Sequence, residues 1–289
     1  GVSHPTPFSA FDLHTHSWFS DGHYSPTDLV ERAQAQGVRV LALTDHDTTA
    51  GIAEARVACD ARSIRLIPGV EVSVTWEKKT IHVLGLGIDP DEERLQETLS
   101  AIGLIRESRA EEMGQRLAKK GIPGVFEAAR EMAGVGMVTR THFAKVLAAR
   151  GHALDVRDVF GRYLTPGKPG YVSTTWAALD KAVECIRNAG GCAVIAHPLR
   201  YKLTRTWLRR LAGEFREMGG QGIEVLSGQP SPGDMQSMRD FAIREQLRGS
   251  CGSDFHGPDE GWPKLGRVPL MPAGIEPIWS DWSHVDGLA

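Results

Sequence analysis

No apolar run in the 289 residues approaches the ~18 that a membrane-spanning helix needs, which excludes a helical channel. Charge of neither sign dominates. The 33 Lys+Arg stand against 36 Asp+Glu, a net of −3, which excludes blanket adhesion to long nucleic acids while leaving room for a local basic patch. Cysteine is scarce: Cys59, Cys185, Cys192 and Cys251 form no CxxC pair. No charged-then-apolar leader opens the sequence, so a reducing cytoplasm is the expected setting. Internal repeats and low-complexity tracts are missing too, which leaves disorder and coiled coil without support. What remains, with 41% hydrophobic and 24% charged residues, reads as a soluble, globular chain long enough for one large domain or two ordinary ones.

Short apolar stretches alternate with helical segments: Phe11 to Leu13, Val38 to Thr44, Leu66 to Val74, Ile81 to Leu86, Cys192 to Ala196, Gly222 to Leu226 and Gly249 to Gly252. Such runs suit buried parallel strands. The first helix is punctuated by Ser25 as N-cap, Pro26 at its first position, Asp28 placed for a capping box and Gly37 just past its end. A repeated βα rhythm points to an α/β sheet or barrel, in which chemistry collects where strands end. From about Glu92 to Trp176 the rhythm stops and helix formers take over. Residues 99–178 carry 12 Lys+Arg against 7 Asp+Glu, and the remainder 21 against 29. The sequence therefore predicts a barrel from residues 1–98 and 179–289, with 99–178 a mainly helical, basic insertion that faces an anion. Arg106, Arg109, Arg116, Lys119 and Lys120 read as a solvated helix face.

Histidine carries the chemical signal. His14, His16, His46, His82, His197 and His256 fall in or just after predicted strands. In His14-Thr15-His16 the period of two sends both imidazoles one way and Thr15 the other. Asp21 follows on the same loop, where Gly22 permits a sharp turn that returns its carboxylate. Later strands deliver Asp45-His46-Asp47, Glu71, His82, His197-Pro198 and Asp254-Phe255-His256, the last pair again two apart. Six His, two Asp and one Glu are too many for one cation and suit two or three. Mixed nitrogen and oxygen donors without thiolate fit manganese, zinc or iron. Asp45 is expected to orient a ligating imidazole from behind rather than to bind an ion.

These residues, in this order, resemble the PHP (polymerase and histidinol phosphatase) metallophosphoesterase family over nearly the whole chain. Leu84 to Pro90, Arg140 to Phe143, Tyr163 to Val172 and Ser250 to His256 are similar to the subgroup of 3′,5′-nucleotide bisphosphate phosphatases and 5′-to-3′ exoribonucleases. The segment from Leu265 to Ile275, with Trp279, is similar to the exoribonuclease branch. The resemblance implies a distorted (β/α)7 barrel with a helical insertion over the metal site. It implies that His14, His16, Glu71 and Asp254 hold one ion, that Glu71 bridges to a second held by His82 and His197, and that Asp21, His46 and His256 hold a third. Manganese is the first expectation, with zinc or iron as alternatives. Two departures stand out: some family members carry His where this chain has Asp21, and Gly-Arg follows His-Pro where this chain has Leu199-Arg200.

A phosphate ester resists attack because its anionic oxygens repel nucleophiles, and clustered cations neutralise that charge and make hydroxide available near pH 7. No Ser or Cys nucleophile is required. Arg140, Lys168 and Arg200 are the phosphate-binding candidates; His142 either touches phosphate or caps a helix, and Glu224 either meets a sugar hydroxyl or is a structural carboxylate. The expected reaction is hydrolysis of the 3′-phosphate ester of a 5′-phosphorylated nucleotide, whether a nucleoside 3′,5′-bisphosphate or the 5′ end of a short RNA. Arg205, Arg209 and Arg210 line a groove for the longer substrate or are solvated. The alternatives are a small-metabolite phosphatase, such as one for histidinol phosphate, and a non-catalytic metal-stabilised module. Neither a membrane nor an obligatory protein partner is expected.

Overall fold

The computed structural model describes residues 8–259 and 262–283. Its sheet follows the strand order β1 (Phe11–Asp12), β2 (Val40–Leu43), β3 (Arg65–Trp76), β4 (Lys79–Leu86), β6 (Cys192–Ile195), β7 (Gly222–Ser227) and β8 (Arg248–Gly252), and the short β5 (Ala177–Ala178) pairs with β3. Every residue of β2 is buried, Val40 and Ala42 in the main core and Leu41 and Leu43 under the flanking helices, as a strand covered on both faces requires. The two ends of the path meet. Leu13 donates its amide to the Cys251 carbonyl at 3.1 Å, and Asp254 to that of His14 at 2.8 Å. Gly252 makes the meeting possible, since a Cβ there would run into the backbone and Cβ of His14. The result is the expected nearly closed barrel.

One expectation fails. The apolar run Ile81 to Leu86 forms β4, but β4 runs antiparallel to both neighbours. A two-residue turn, Glu77–Lys78, with φ of 48° and 64°, folds β4 straight back on β3, so no crossover helix fits between them. This reversal distorts the barrel. The βα rhythm holds elsewhere: α1 (Pro26–Ala35) follows β1, α2 (Ile52–Asp60) follows β2, and Ser25 caps α1 by accepting from the Asp28 amide at 3.1 Å.

The helical stretch begins with α3 (Glu93–Lys119), capped by Glu92, whose carboxylate accepts from the Leu95 amide at 2.8 Å. Its first half sends Leu95, Leu99 and Ile102 into the barrel core. Its second half joins Met113 and Leu117 to a separate apolar core shared with α4 (Val125–Ala133) and α5 (Arg140–Ala149). α6 (Val156–Val159) runs into a π-helical turn, Phe160–Leu164, before the chain returns to the barrel through α7 (Leu179–Asn188). α8 (Arg205–Glu217) and α9 (Pro232–Arg244) complete the outer layer. Among the described residues no helix is long and apolar enough to cross a membrane.

Candidate metal centre

His14 and His16 leave the end of β1 fully buried, while Thr15 turns to the neighbouring strand and donates its hydroxyl to the Ala42 carbonyl at 2.6 Å. The period-two reading holds. Opposite them stands Glu71, in the middle of β3 and buried. Its Oε1 lies 3.1 Å from His14 Nε2, 3.1 Å from His16 Nε2 and 3.3 Å from His46 Nδ1. Its Oε2 lies 3.1 Å from both His82 Nδ1 and His197 Nε2. One carboxylate thus faces five imidazoles. Asp254 Oδ1 lies 3.2 Å from His14 Nε2 and 3.0 Å from His16 Nε2. Asp21 Oδ1 is 3.1 Å from His256 Nε2 and 3.6 Å from His46 Nε2.

The donor atoms fall into three groups, within 4.8 Å of one another in each: His14, His16, Glu71 and Asp254; His16, Asp21, His46 and His256; and His46, Glu71 and His82. His197 sits beside the last group, its Nε2 3.2 Å from His82 Nδ1. All nine metal-ligand candidates therefore come together, with His16, His46 and Glu71 each shared by two groups.

These contacts do not make sense as hydrogen bonds alone. A ring N–H cannot serve two carboxylates at once, as His16 Nε2 would have to, and the facing nitrogens of His82 and His197 need a cation or a shared proton between them. His46 Nδ1 is buried with no hydrogen-bond partner among the described residues. Separations just above 3 Å are instead the edges of a polyhedron whose ligands stand about 2.1 Å from a central ion. Burial opposes ionisation of Glu71, yet His14, His46 and His82 hold its carboxyl well below the usual range, and Asp254 and Asp21 are held down in the same way by His14 and His256. At His16 burial is outweighed by Asp254 and Glu71, and its imidazole is pushed up to about 10. The pocket draws positive charge, and its donors fit divalent metal ions.

Several backbones are strained to build it. Asp47, His197 and Asp254 have φ of 53°, 29° and 56°, in the left-handed region that non-glycine residues avoid. Each sits just past a strand end, where the chain must turn a side chain into the mouth. The turn after His16 closes as Gly22 donates to the Ser17 carbonyl at 2.9 Å, in space where a Cβ would meet the His16 carbonyl.

In the supporting layer two expectations, for Asp45 and Arg106, fail, and two open readings, for Glu224 and His142, are narrowed. Asp45 touches no imidazole directly; it accepts from the Ser17 amide and hydroxyl at 2.7 and 2.6 Å and from the Ser20 hydroxyl at 2.8 Å, fixing the loop between His16 and Asp21. Glu224 has the contacts of a structural carboxylate: buried, it accepts from His14 Nδ1 at 2.9 Å and from the His197 amide at 2.7 Å. His142 caps α5, its Nδ1 accepting from the Thr139 amide at 3.0 Å. Arg106 is not on a solvated face. It is buried and reaches Asp47 at 2.6 Å and the Ser73 hydroxyl at 2.9 Å. Asp47, Asp12 and Tyr201 were missed as supports: Asp12 holds the Ser253 amide and hydroxyl at 2.9 and 2.6 Å, and Tyr201 accepts from the His82 amide at 2.9 Å.

Of the phosphate candidates, Arg200 is half exposed and bonds Asp254 Oδ2 at 2.9 Å, directly behind the oxygen that faces His14 and His16. Arg140 is the first residue of α5, next to Thr141, whose hydroxyl donates to Asp21 Oδ2 at 3.0 Å. Lys168 is exposed in the turn after the π-helical segment. Arg210 is engaged by Glu77 at 2.8 Å and Glu214 at 3.1 Å, Arg209 lies 3.9 Å from Glu245, and Arg205 donates to the Ser237 hydroxyl at 2.7 Å.

Comparison with known proteins agrees with this geometry. The PHP domain profile matches residues 12–126. The 3′,5′-nucleoside bisphosphate phosphatase of Chromobacterium violaceum is 49% identical over 271 residues, covering 93% of this chain and 95% of that protein. The 5′-3′ exoribonuclease Rnm of Escherichia coli K12 is 43% identical over 276 residues, covering 95% and 94%. A solved structure described as an amidohydrolase from Chromobacterium violaceum, with bound sulfate and no metal, superposes with a TM-score of 0.90 at 48% identity and covers 94% of this chain and 95% of that one. With most of its length aligned to such relatives and this donor set at the strand ends, the chain belongs to the PHP-domain family, in the branch that holds these phosphatases and exoribonucleases.

Proposed function

We propose that the protein is a metal-dependent phosphoesterase that hydrolyses the phosphate ester on the 3′ side of a nucleotide bearing a 5′-phosphate, in nucleoside 3′,5′-bisphosphates and at the 5′ end of short RNA. The observation that carries this reading is Glu71, whose two oxygens face two separate sets of imidazoles in one solvent-reaching mouth. His14, His16, Glu71 and Asp254 would hold one divalent ion, Glu71, His82 and His197 a second, and Asp21, His46 and His256 a third. Manganese suits this nitrogen and oxygen set, and zinc or iron are the alternatives. Bound there, the ions supply charge neutralisation for the phosphate oxygens and acidify water.

The chain's own residues do the rest. Arg200, largely exposed, neutralises Asp254 from outside. The N-terminus of α5, with Arg140 as its first residue, faces the Asp21 side of the pocket through Thr141. Arg140, Lys168 and Arg200 bind substrate oxygens, and the helices of residues 99–178 form the substrate-binding part over the barrel. His142 contributes by fixing α5 rather than by touching substrate. The setting is cytoplasmic, and the small substrate is the only partner required.

The test compares rates on adenosine 3′,5′-bisphosphate and a 5′-phosphorylated oligoribonucleotide, with bound metal measured by mass spectrometry. The wild type should release phosphate or mononucleotide, and the H14A/H16A double variant, checked for fold by circular dichroism, should do neither and lose metal. Full activity in that variant would sink the site.

A further inference from the structure

The end of the barrel away from the metal centre gathers positive charge of its own. Arg39 stands immediately before β2 and Arg65 opens β3, and the two strands hold them side by side as Arg65 donates its amide to the Arg39 carbonyl at 2.9 Å. Arg56, from the middle of α2, joins them around a cavity of about 450 Å³. Among the described residues, none of the three guanidinium groups has a carboxylate within ion-pair distance or a hydrogen-bond acceptor. Asp60, one turn along α2 from Arg56, borders the same cavity without reaching any of them. Close by, Arg62 is paired with Glu31 at 2.7 Å. The cavity is remote from the ligands: His46 is seven residues past Arg39 and Glu71 six past Arg65, roughly 20 Å of extended chain at ~3.3 Å per residue.

Guanidinium keeps its proton in proteins, so three positive charges here meet one negative charge. All three arginines are exposed, where water and salt screen their mutual repulsion, yet the local potential still favours an anion. Charge selects its class. A diphosphate group carries about three negative charges near pH 7, the second pKa of a terminal phosphate being ~6, and its oxygens suit guanidinium forks. The rest of the lining suits a nucleoside: Asp60 can accept from a ribose hydroxyl, Ser63 adds a hydroxyl and Pro68 an apolar wall. The volume lies within the ~300 to 1,000 Å³ of small-ligand pockets. We propose that this cavity is a second, non-catalytic site that binds a nucleoside diphosphate, with its phosphates on Arg39, Arg56 and Arg65.

The experiment is calorimetry of adenosine 5′-diphosphate on the metal-loaded full chain. Its phosphorylated end also fits the catalytic mouth, so the readout is a difference between proteins. The wild type should bind one more molecule per chain than R39Q/R65Q, and R56Q should weaken that extra site roughly ten- to hundredfold, as loss of a charged hydrogen bond implies. R39K/R65K, which keeps the charge but not the fork, should fall between the two. Equal site counts and affinities in the wild type and R39Q/R65Q, both folded by circular dichroism, would overturn the proposal. If the double variant does not fold, unchanged binding in R56Q overturns it instead. An octaribonucleotide with a 5′-hydroxyl end is the second probe: if its binding depends on these arginines and that of the diphosphate does not, the face contacts a strand and the assignment falls. The kcat/KM of R39Q/R65Q on adenosine 3′,5′-bisphosphate should match the wild type, since the cavity is separate from the mouth, and a tenfold loss would refute that separation.

Discussion

Glu224 clasps His14 from behind. Its carboxylate accepts a hydrogen bond from His14 Nδ1 at 2.9 Å, the arrangement that would leave Nε2, which faces Glu71 and Asp254, to hold an ion. The same carboxylate takes the His197 amide at 2.7 Å, locking the strained backbone of that residue. One side chain therefore holds two residues whose imidazoles face different oxygens of Glu71.

Replacing Glu224 with Gln keeps the shape but removes the charge that favours this tautomer. Bound metal and phosphate release should both fall, roughly ten- to hundredfold, as loss of an orienting carboxylate behind a histidine ligand usually costs. Metal titration followed by kinetics at saturating metal checks it; unchanged metal affinity would show that His14 needs no support.

Arg106 and Asp47 form a buried ion pair at 2.6 Å, with Ser73 donating both its amide and hydroxyl to Asp47 at 2.7 Å. Truncating Arg106 to Ala strands a buried carboxylate. Unfolding stability in urea should drop by about 3 to 5 kcal/mol, whereas the double change R106M/D47N should recover much of it. A loss below about 1 kcal/mol in R106A would place the pair among inconsequential surface contacts.

Acid should loosen the insertion through His142. Burial lowers this imidazole to about 4, with the charge of Asp21 only partly opposing, and its unprotonated Nδ1 is the acceptor in the α5 cap. The folded value lies below the ordinary one near ~6.5, so the stabilisation is fully present above that pH and drains away as pH falls towards 4. The gap in unfolding free energy between the wild type and H142Q should shrink over that interval, by up to roughly 3 kcal/mol. A gap independent of pH would mean that the ring does not act as a neutral acceptor.

What the sequence made legible was local. His14-Thr15-His16 could be read because strand alternation alone decides which way two side chains point, and Ser25 because a cap is a matter of a few neighbouring residues. The direction of β4 could not, since Ile81 to Leu86 is equally apolar whichever way it runs, and only the Glu77–Lys78 turn reverses it. Arg106 and Arg109 looked like their neighbours Arg116 and Lys119 because a charge on a helix carries no mark of what that face meets. The burial of Arg106 and the stacking of both on Trp176 are decided by where α3 lies against β3. Glu224 and Asp45 were noticed as carboxylates near the site, but which partner each would grip depended on loops distant in sequence.

The seam between the first and last strands has a consequence for biosynthesis. Asp254, whose amide bonds the His14 carbonyl at 2.8 Å, is made about 240 residues after His14. A nascent chain halted before that point holds most of the donors but has no partner strand to close them in. Two of the three donor groups stay incomplete until Asp254 and His256 are made.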